Sequence, residues 1–430
     1  MTTGLTRRPA AGGRGVVRRV GQLRHSSPGR LQLLLAILLT LGLLTGLVAG
    51  LTATSAASGT ADLGGRAQPL LTESETIYSA LAEADTVAAQ AFLAGGLEPV
   101  DLTRRYEDAL ARATTALTSA ARRTPEGSAA QESVHALAAG TLRYTALVAT
   151  ARAGNRQGLP VGASYLATAS ELNQGTLQPQ AQSLFQFAAR EVDAGYETAR
   201  SSWWLILLLV LVVVLTIALI GTQVYLSGAT RRTFNMPLLA ATGLTALLVV
   251  ATGVLFTLQR DHLDSAGEDG STPVIALAER RILALRERAS EALTLAARAG
   301  SGPHEKAFDR AAEQLDFTGR EFDDVASLMS QAGARHATYV DIHREVRKLD
   351  DGGDYDGAVK LAVGPEATEA FEGLTSALDA ALADRRAVFD EEIDRAGRGL
   401  SVLTVLGPLL ALAICVLAAI GLRARLEEFR

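Results

Sequence analysis

The chain has one cysteine, Cys415, in 430 residues. It lies within a long apolar run, so no disulfide can close inside the chain and the folded parts must be held by packing. Lysine is nearly as scarce: Lys306, Lys348 and Lys360 are the only three among 41 basic residues. With abundant Ala and Gly, this bias fits a GC-rich bacterial genome and says nothing about chemistry. Alternation of apolar and polar residues, the mark of a half-buried strand, is missing throughout. Catalytic constellations are missing too. The six histidines are scattered, and only His336 and His343 stand one heptad apart; they read as solvated residues of a helix surface, because a zinc site needs further ligands at matching pitch. The segment Asp350-Asp-Gly-Gly-Asp-Tyr-Asp-Gly357 has the composition of a calcium loop. Placing Gly357 at the glycine position puts Gly352 at the first ligand position and Val363 at the twelfth, so the bidentate Glu is lacking. It reads as a polar turn between helices. No Gly-rich phosphate loop precedes a Lys-Ser/Thr pair. The expectation is a protein without catalytic residues, cofactor or metal, and not an enzyme.

Charge is absent from four stretches: Leu31–Leu51, Trp203–Leu226, Pro237–Leu258 and Leu400–Leu422. Each is long enough to cross a hydrocarbon layer of ~30 Å as a helix, so the chain reads as a multi-pass membrane protein. Arginine sets the orientation. The leader 1–30 carries Arg7, Arg8, Arg14, Arg18, Arg19, Arg24 and Arg30 without an acid, and the loop 227–236 carries Arg231 and Arg232 without one. The blocks 52–202 and 259–399 are negative, at −4 and −11. Both termini and the tail 423–430 are therefore expected in the cytoplasm, and both blocks outside the plasma membrane. Ser55-Ala56-Ala57 could serve as a cleavage site, but the apolar core is long for a signal peptide, and an uncleaved anchor is expected. The basic leader reads as a disordered topology signal touching anionic lipid, not as a nucleic-acid binder.

Both blocks read as helical bundles. Tyr106, Leu110, Ala113 and Leu117 form one apolar stripe within 101–123, which Thr124-Pro-Glu-Gly127 ends. Ser128-Ala-Ala-Gln131 has the form of a capping box. Phe308, Ala311, Leu315, Phe322, Val325 and Met329 keep a heptad spacing, as do Phe371, Leu374, Leu378, Leu382, Phe389 and Ile393. From Pro365 to Leu422 no strong breaker occurs before Gly397, Gly399 and Gly407-Pro408, so the last bundle helix is expected to run into its span. The segment from Ile77 to Gly95 aligns without gaps on that from Ile282 to Gly300, and Arg143-Tyr144 parallels Thr338-Tyr339. The fold class expected is an all-α membrane protein with four transmembrane helices and two extracytoplasmic helical-bundle domains, internally duplicated as span–bundle–span written twice.

Few residues stand out as binding candidates. Arg231, Arg232 and Phe234 in the inner loop and Phe429 in the tail are the expected grips for a cytoplasmic partner, since Arg and aromatic residues dominate binding hot spots. Arg104 and Arg105, beside Tyr106, are the first place to look for recognition of an anionic ligand. The spans hold no charged residue and their polar content is mainly Thr and Ser, which argues against a transport path.

Two span–bundle–span units joined by the basic turn Thr230-Arg-Arg-Thr-Phe-Asn235 and ended by Arg425-Leu-Glu-Glu-Phe-Arg430 resemble the GlnX-like four-span membrane proteins of actinobacteria. That resemblance implies partners: an amino-acid-binding lipoprotein outside and a soluble Ser/Thr protein kinase, protein kinase G, inside. It implies a relay of aspartate or glutamate availability to that kinase. Two other readings remain: a direct small-molecule sensor of chemoreceptor-like type, in which a homo-oligomer is possible, and a structural or permease-associated membrane subunit.

Overall fold

The structure, a computed structural model, describes residues 27–94, 98–200, 203–230, 235–297 and 302–427. Among these residues every regular element is helical. In chain order the helices are α1 (Ser27–Asp62), α2 (Gln68–Ala94), α3 (Val100–Arg123), α4 (Ala129–Arg156), α5 (Val161–Leu172), α6 (Gln178–Arg200), α7 (Trp203–Thr230), α8 (Met236–Ser265), α9 (Thr272–Ala297), α10 (Pro303–Gln314), α11 (Ala326–Asp351), α12 (Tyr355–Ala362) and α13 (Pro365–Glu427). Four of the helical runs are long and apolar enough to cross a membrane.

The chain divides into two compact units. A span unit takes the described parts of 1–58, 199–260 and 396–430; a bundle unit takes Gly59–Thr198 and Asp261–Arg395. In the span unit, Gly42, Gly46 and Gly50 turn one face of α1 toward Cys415, Ala411 and Pro408 of α13. Small residues let two membrane helices approach closely where no hydrophobic force drives them together. The buried hydroxyls of Thr45, Thr52, Thr222 and Thr245 each donate to the carbonyl four residues back, so these four are satisfied within their own helices. Gln223 of α7 donates to the Leu238 carbonyl at 3.0 Å and to Thr242 Oγ1 at 2.7 Å. Asn235 Nδ2 ties to the Gly421 carbonyl at 2.9 Å. The long helix α13 contains Pro408 in its interior; spans tolerate such a proline where neighbouring helices pack against it.

Proline shapes the bundle unit at three points. The helical runs widen into π turns at Leu63–Ala67, Asn173–Leu177 and Ala266–Ser271. Pro69, Pro179 and Pro273 follow one residue into the next helix. Each lacks an N–H, and its ring displaces the carbonyl four residues back. The preceding residue bonds instead to the carbonyl five back: Gln68 to Leu63, Gln178 to Asn173, Thr272 to Gly267.

Local stops follow the sequence with two differences. Ser128 Oγ caps α4 by accepting from Gln131 N at 3.2 Å. The return bond of the capping box is shifted, with Gln131 Oε1 accepting from Gly127 N at 2.8 Å. The heptad run from Phe308 to Met329 is not one helix: α10 ends at Gln314 and a short 3₁₀ turn at Arg320–Val325 precedes α11. Asp316 Oδ1 accepts from both the backbone N and the hydroxyl of Thr318, at 2.8 and 2.7 Å, a side-chain bond that competes with helix. All six apolar residues are nevertheless buried. Within the Asp350–Gly357 segment, residues 352–354 make the turn between α11 and α12, and Asp354 Oδ1 caps α12 by accepting from Gly357 N at 3.0 Å.

A charged cavity as the candidate functional site

Helices α2 and α9 occupy the interior of the bundle unit. Most of α2 is buried, including Glu75, Tyr78, Asp85 and Gln90, and α9 buries Glu287, Arg288 and Glu291. Alanines make this arrangement possible, because a helix closed in on all sides needs small side chains; Ala89 packs on Ala292 and Leu293. Buried charges need partners, and they find them across helices. Glu75 takes Arg281 at 2.9 Å and Arg386 at 3.4 Å. The Tyr78 hydroxyl accepts from Arg286 at 2.7 Å and donates to Gln178 at 3.1 Å.

A cavity of about 380 Å³ opens between α2, α3, α9 and α13. Each helix contributes two polar residues seven apart, which is close to two turns and so places both on one face. The pairs are Glu83 and Gln90, Arg105 and Arg112, Arg281 and Arg288, and Glu372 and Asp379. Phe371, Leu285 and Val87 supply apolar wall. Arg288 forms a fixed floor: it is 3% exposed and bonds Glu291 at 2.9 Å. With its amide oxygen turned inward, Gln90 also accepts from Arg288 at 3.1 and 3.2 Å. The mouth is more open. Arg105 meets Glu372 at 3.2 Å, Arg281 meets Asp379 at 2.5 Å, and Arg112 meets Glu83 at 2.5 Å.

Beneath the floor lies a second cluster. His343 is 3% exposed, stacks on Phe308 at 3.6 Å between ring centroids, and bridges Glu291 (3.1 Å) and Glu305 (3.2 Å). Burial lowers the His343 pKa, but these two carboxylates overcome it and hold the value up at about 9. For Glu291, burial works the other way, and His343, Arg288 and Tyr339 still keep its carboxyl below the usual range. His336 bonds Glu287 at 2.9 Å. The expectation of solvated histidines thus fails, because carboxylates on the buried α9 draw both rings inward. Among the described residues no cation pairs with Asp85. Burial pushes it up to about 6 even though Ser170, Gln174 and Tyr144 donate to it.

Of the residues singled out from sequence, Arg105 lines the cavity. Arg104, its neighbour, points elsewhere and pairs with Asp101 at 3.5 Å. Arg231, Arg232, Phe234 and Phe429 lie outside the described residues. Sequence reading missed Arg112, Arg281, Arg288, Glu372 and Asp379. The signal that could have found them is the heptad repeat of charge inside Ala-rich helices that have too little polar face to be surface helices.

An all-helical membrane protein with a polar cavity in a bundle fits the class of membrane-bound sensors. Residues 59–197 match the family described as the Actinobacterial sensor domain, and this stretch includes the α2 and α3 walls of the cavity. The match points to a sensing role. No curated protein and no solved structure matches the chain.

Proposed function

We propose that this chain is a non-enzymatic transmembrane signal coupler of the plasma membrane. In this reading both termini are cytoplasmic, the bundle unit is extracytoplasmic, and the chain arose by duplication of a span–bundle–span unit. An amino-acid-binding lipoprotein docks outside and reports aspartate or glutamate; a cytoplasmic Ser/Thr protein kinase receives the signal, gripping Arg231, Arg232, Phe234 and Phe429. The observation that carries the reading is α13, a single helix from Pro365 to Glu427. It holds the cavity residues Glu372 and Asp379 as well as the fourth apolar stretch, and a helix is stiff along its axis, so a shift at one end is felt at the other. A short Gly-Ser insertion after Arg398 tests this. Amino-acid-dependent kinase output should be lost while membrane insertion stays normal; output unchanged by the insertion would remove α13 from the relay. A second reading, direct sensing of a small molecule, is favoured by the charged cavity.

A further inference from the structure

A separate cavity, of about 710 Å³, lies between α5, the π turn at Asn173–Leu177, α9 and α10. It shares no lining residue with the charged cavity, and its size falls within the roughly 300 to 1,000 Å³ of ligand pockets. Leu166, Leu293 and three alanines form its apolar wall, and its polar groups include Ser170, Glu171, Gln174 and His304. Among the described residues the lining has no Arg or Lys. Burial holds the His304 ring below its ordinary pKa, so at neutral pH it adds no positive charge.

Asp85 stands directly behind this wall. It is 1% exposed, and two of the residues that hold it also line the cavity: Ser170 Oγ donates to it at 2.9 Å and Gln174 Nε2 at 3.2 Å. Ser170 has a single hydroxyl hydrogen, already committed to the carboxylate, so toward a ligand it can only accept; Gln174 keeps its Oε1 as an acceptor. The negative charge of Asp85 is thus backed onto a surface of acceptors. The second half of the bundle unit shows what this half lacks. Glu291 has Arg288 three residues before it and faces His343, four residues after Tyr339. Three residues before Asp85 stands Ala82, and four after Tyr144 stands Val148, both buried and uncharged. A buried carboxylate without a counter-charge is costly, and a cation seated in the cavity would offset that cost.

We infer that this cavity binds an organic amine, whose ammonium donates to Ser170 Oγ and Gln174 Oε1 in front of Asp85 while its carbon chain lies on Leu166 and Leu293. The site goes beyond the proposed coupling and needs neither lipoprotein nor kinase. Calorimetric titration of the full chain in nanodiscs, with empty nanodiscs subtracted, tests it at a pH above the Asp85 value of about 6. The probes are n-butylamine, 1-butanol and butyrate, short chains that differ in the charge at one end. Saturable binding of the amine is expected, at least about tenfold tighter than either of the others, the size of one charge-assisted hydrogen bond. Asp85→Asn should abolish that preference. Removing a buried, unmatched charge should not unfold the chain, and a melting curve of the variant checks this. Glu132→Gln, at an exposed acid in the first turn of α4 that does not line the cavity, should keep the preference. The inference is overturned if the amine binds no better than the alcohol, if butyrate matches it, or if folded Asp85→Asn still prefers the amine. The comparison of probes on the wild-type chain decides the matter whatever the stability of the variant.

Discussion

The Tyr339 hydroxyl donates to Glu291 Oε2 at 2.8 Å, joining the buried face of α11 to the central helix α9. The first half of the bundle unit contains a similar link, in which the buried Tyr144 of α4 donates to Asp85 of α2 at 3.4 Å. In both, an aromatic hydroxyl on a flanking helix meets an acid on the interior helix. The acids differ in their company: Glu291 has Arg288 and His343 beside it, whereas Asp85 has only neutral donors.

That difference gives a first prediction. Glu291→Gln leaves Arg288 and His343 short of a counter-charge in a buried place, and breaking a buried pair in this way costs about 3–5 kcal/mol. Tyr339→Phe removes one hydrogen bond while the charges remain matched, so the loss should be nearer 1–2 kcal/mol. Denaturant unfolding of the two variants should rank them in that order. Equal losses would show that the charges are not buried as described.

A second prediction concerns pH. His343 is held protonated, with its pKa raised to about 9 against about 6.5 when unfolded. A raised value means that its contribution is complete below the unfolded pKa and is lost as pH climbs through the folded one. Glu291 and Glu305 face the ring directly, and Arg347 lies beyond Glu305 at 3.5 Å. The wild-type protein should therefore lose thermal stability between about pH 7 and pH 10. In His343→Gln this slope should be shallower, and a slope of equal steepness would rule His343 out as its source.

Asp85 gives a third, with a gain in stability. Its pKa is raised by burial to about 6, above the unfolded value of about 3.9. Its contribution is thus complete below about pH 4 and lost as pH rises through about 6, so near neutrality the protein carries a buried charge at a cost. Asp85→Asn should stabilise the protein at about pH 7 by up to ~2 kcal/mol, less whatever the altered hydrogen bonding with Gln174 takes back. The advantage should fade toward about pH 4. A variant less stable than wild type at neutral pH would mean that the carboxylate is better solvated than its burial indicates.

The fold class was legible because it rests on periodicity and on missing charge. Uncharged runs of span length and a 3.6-residue apolar repeat leave few alternatives to membrane helices and helical bundles. The cavity was legible only at Arg105. Its other residues lie on four helices from distant parts of the chain, and nothing local to Arg281 or Asp379 says that the two meet. The histidines misled for a related reason. A His on a helix looks solvated unless its buried partner is known, and Glu291 stands 52 positions from His343. The π turns could have been read, since each is announced by a proline one residue inside the following helix.

Packing within the span unit supports a fourth prediction. A Cβ on Gly46 would lie 2.7 Å from the Ala411 Cβ, so Gly46→Leu must force α1 and α13 apart. Overpacking of this kind costs about 1–3 kcal/mol. Gly243 on α8 has nothing within 4 Å of its would-be Cβ, and Gly243→Leu should be silent. Thermal inactivation in detergent should separate the two variants. If they match each other, Gly46 is not at a close contact.

The last prediction tests orientation, which rests on arginine counts alone. The one cysteine is first removed as Cys415→Ala, giving a background in which any label reports an introduced site. Glu126 sits in the exposed turn before α4, and Asp356 is exposed on α12; cysteine at either position should react with an impermeant thiol reagent in intact cells. Cysteine at Thr230, beside Arg231 and Arg232, should react only after permeabilisation. Arginine resists transfer across the bilayer against the membrane potential, and the inner loop holds two with no acid to neutralise them. Labelling at position 230 in intact cells would reverse the assignment. It would place the bundle unit in the cytoplasm, where no lipoprotein could reach it, and the proposed coupling to an extracytoplasmic signal would fall with it.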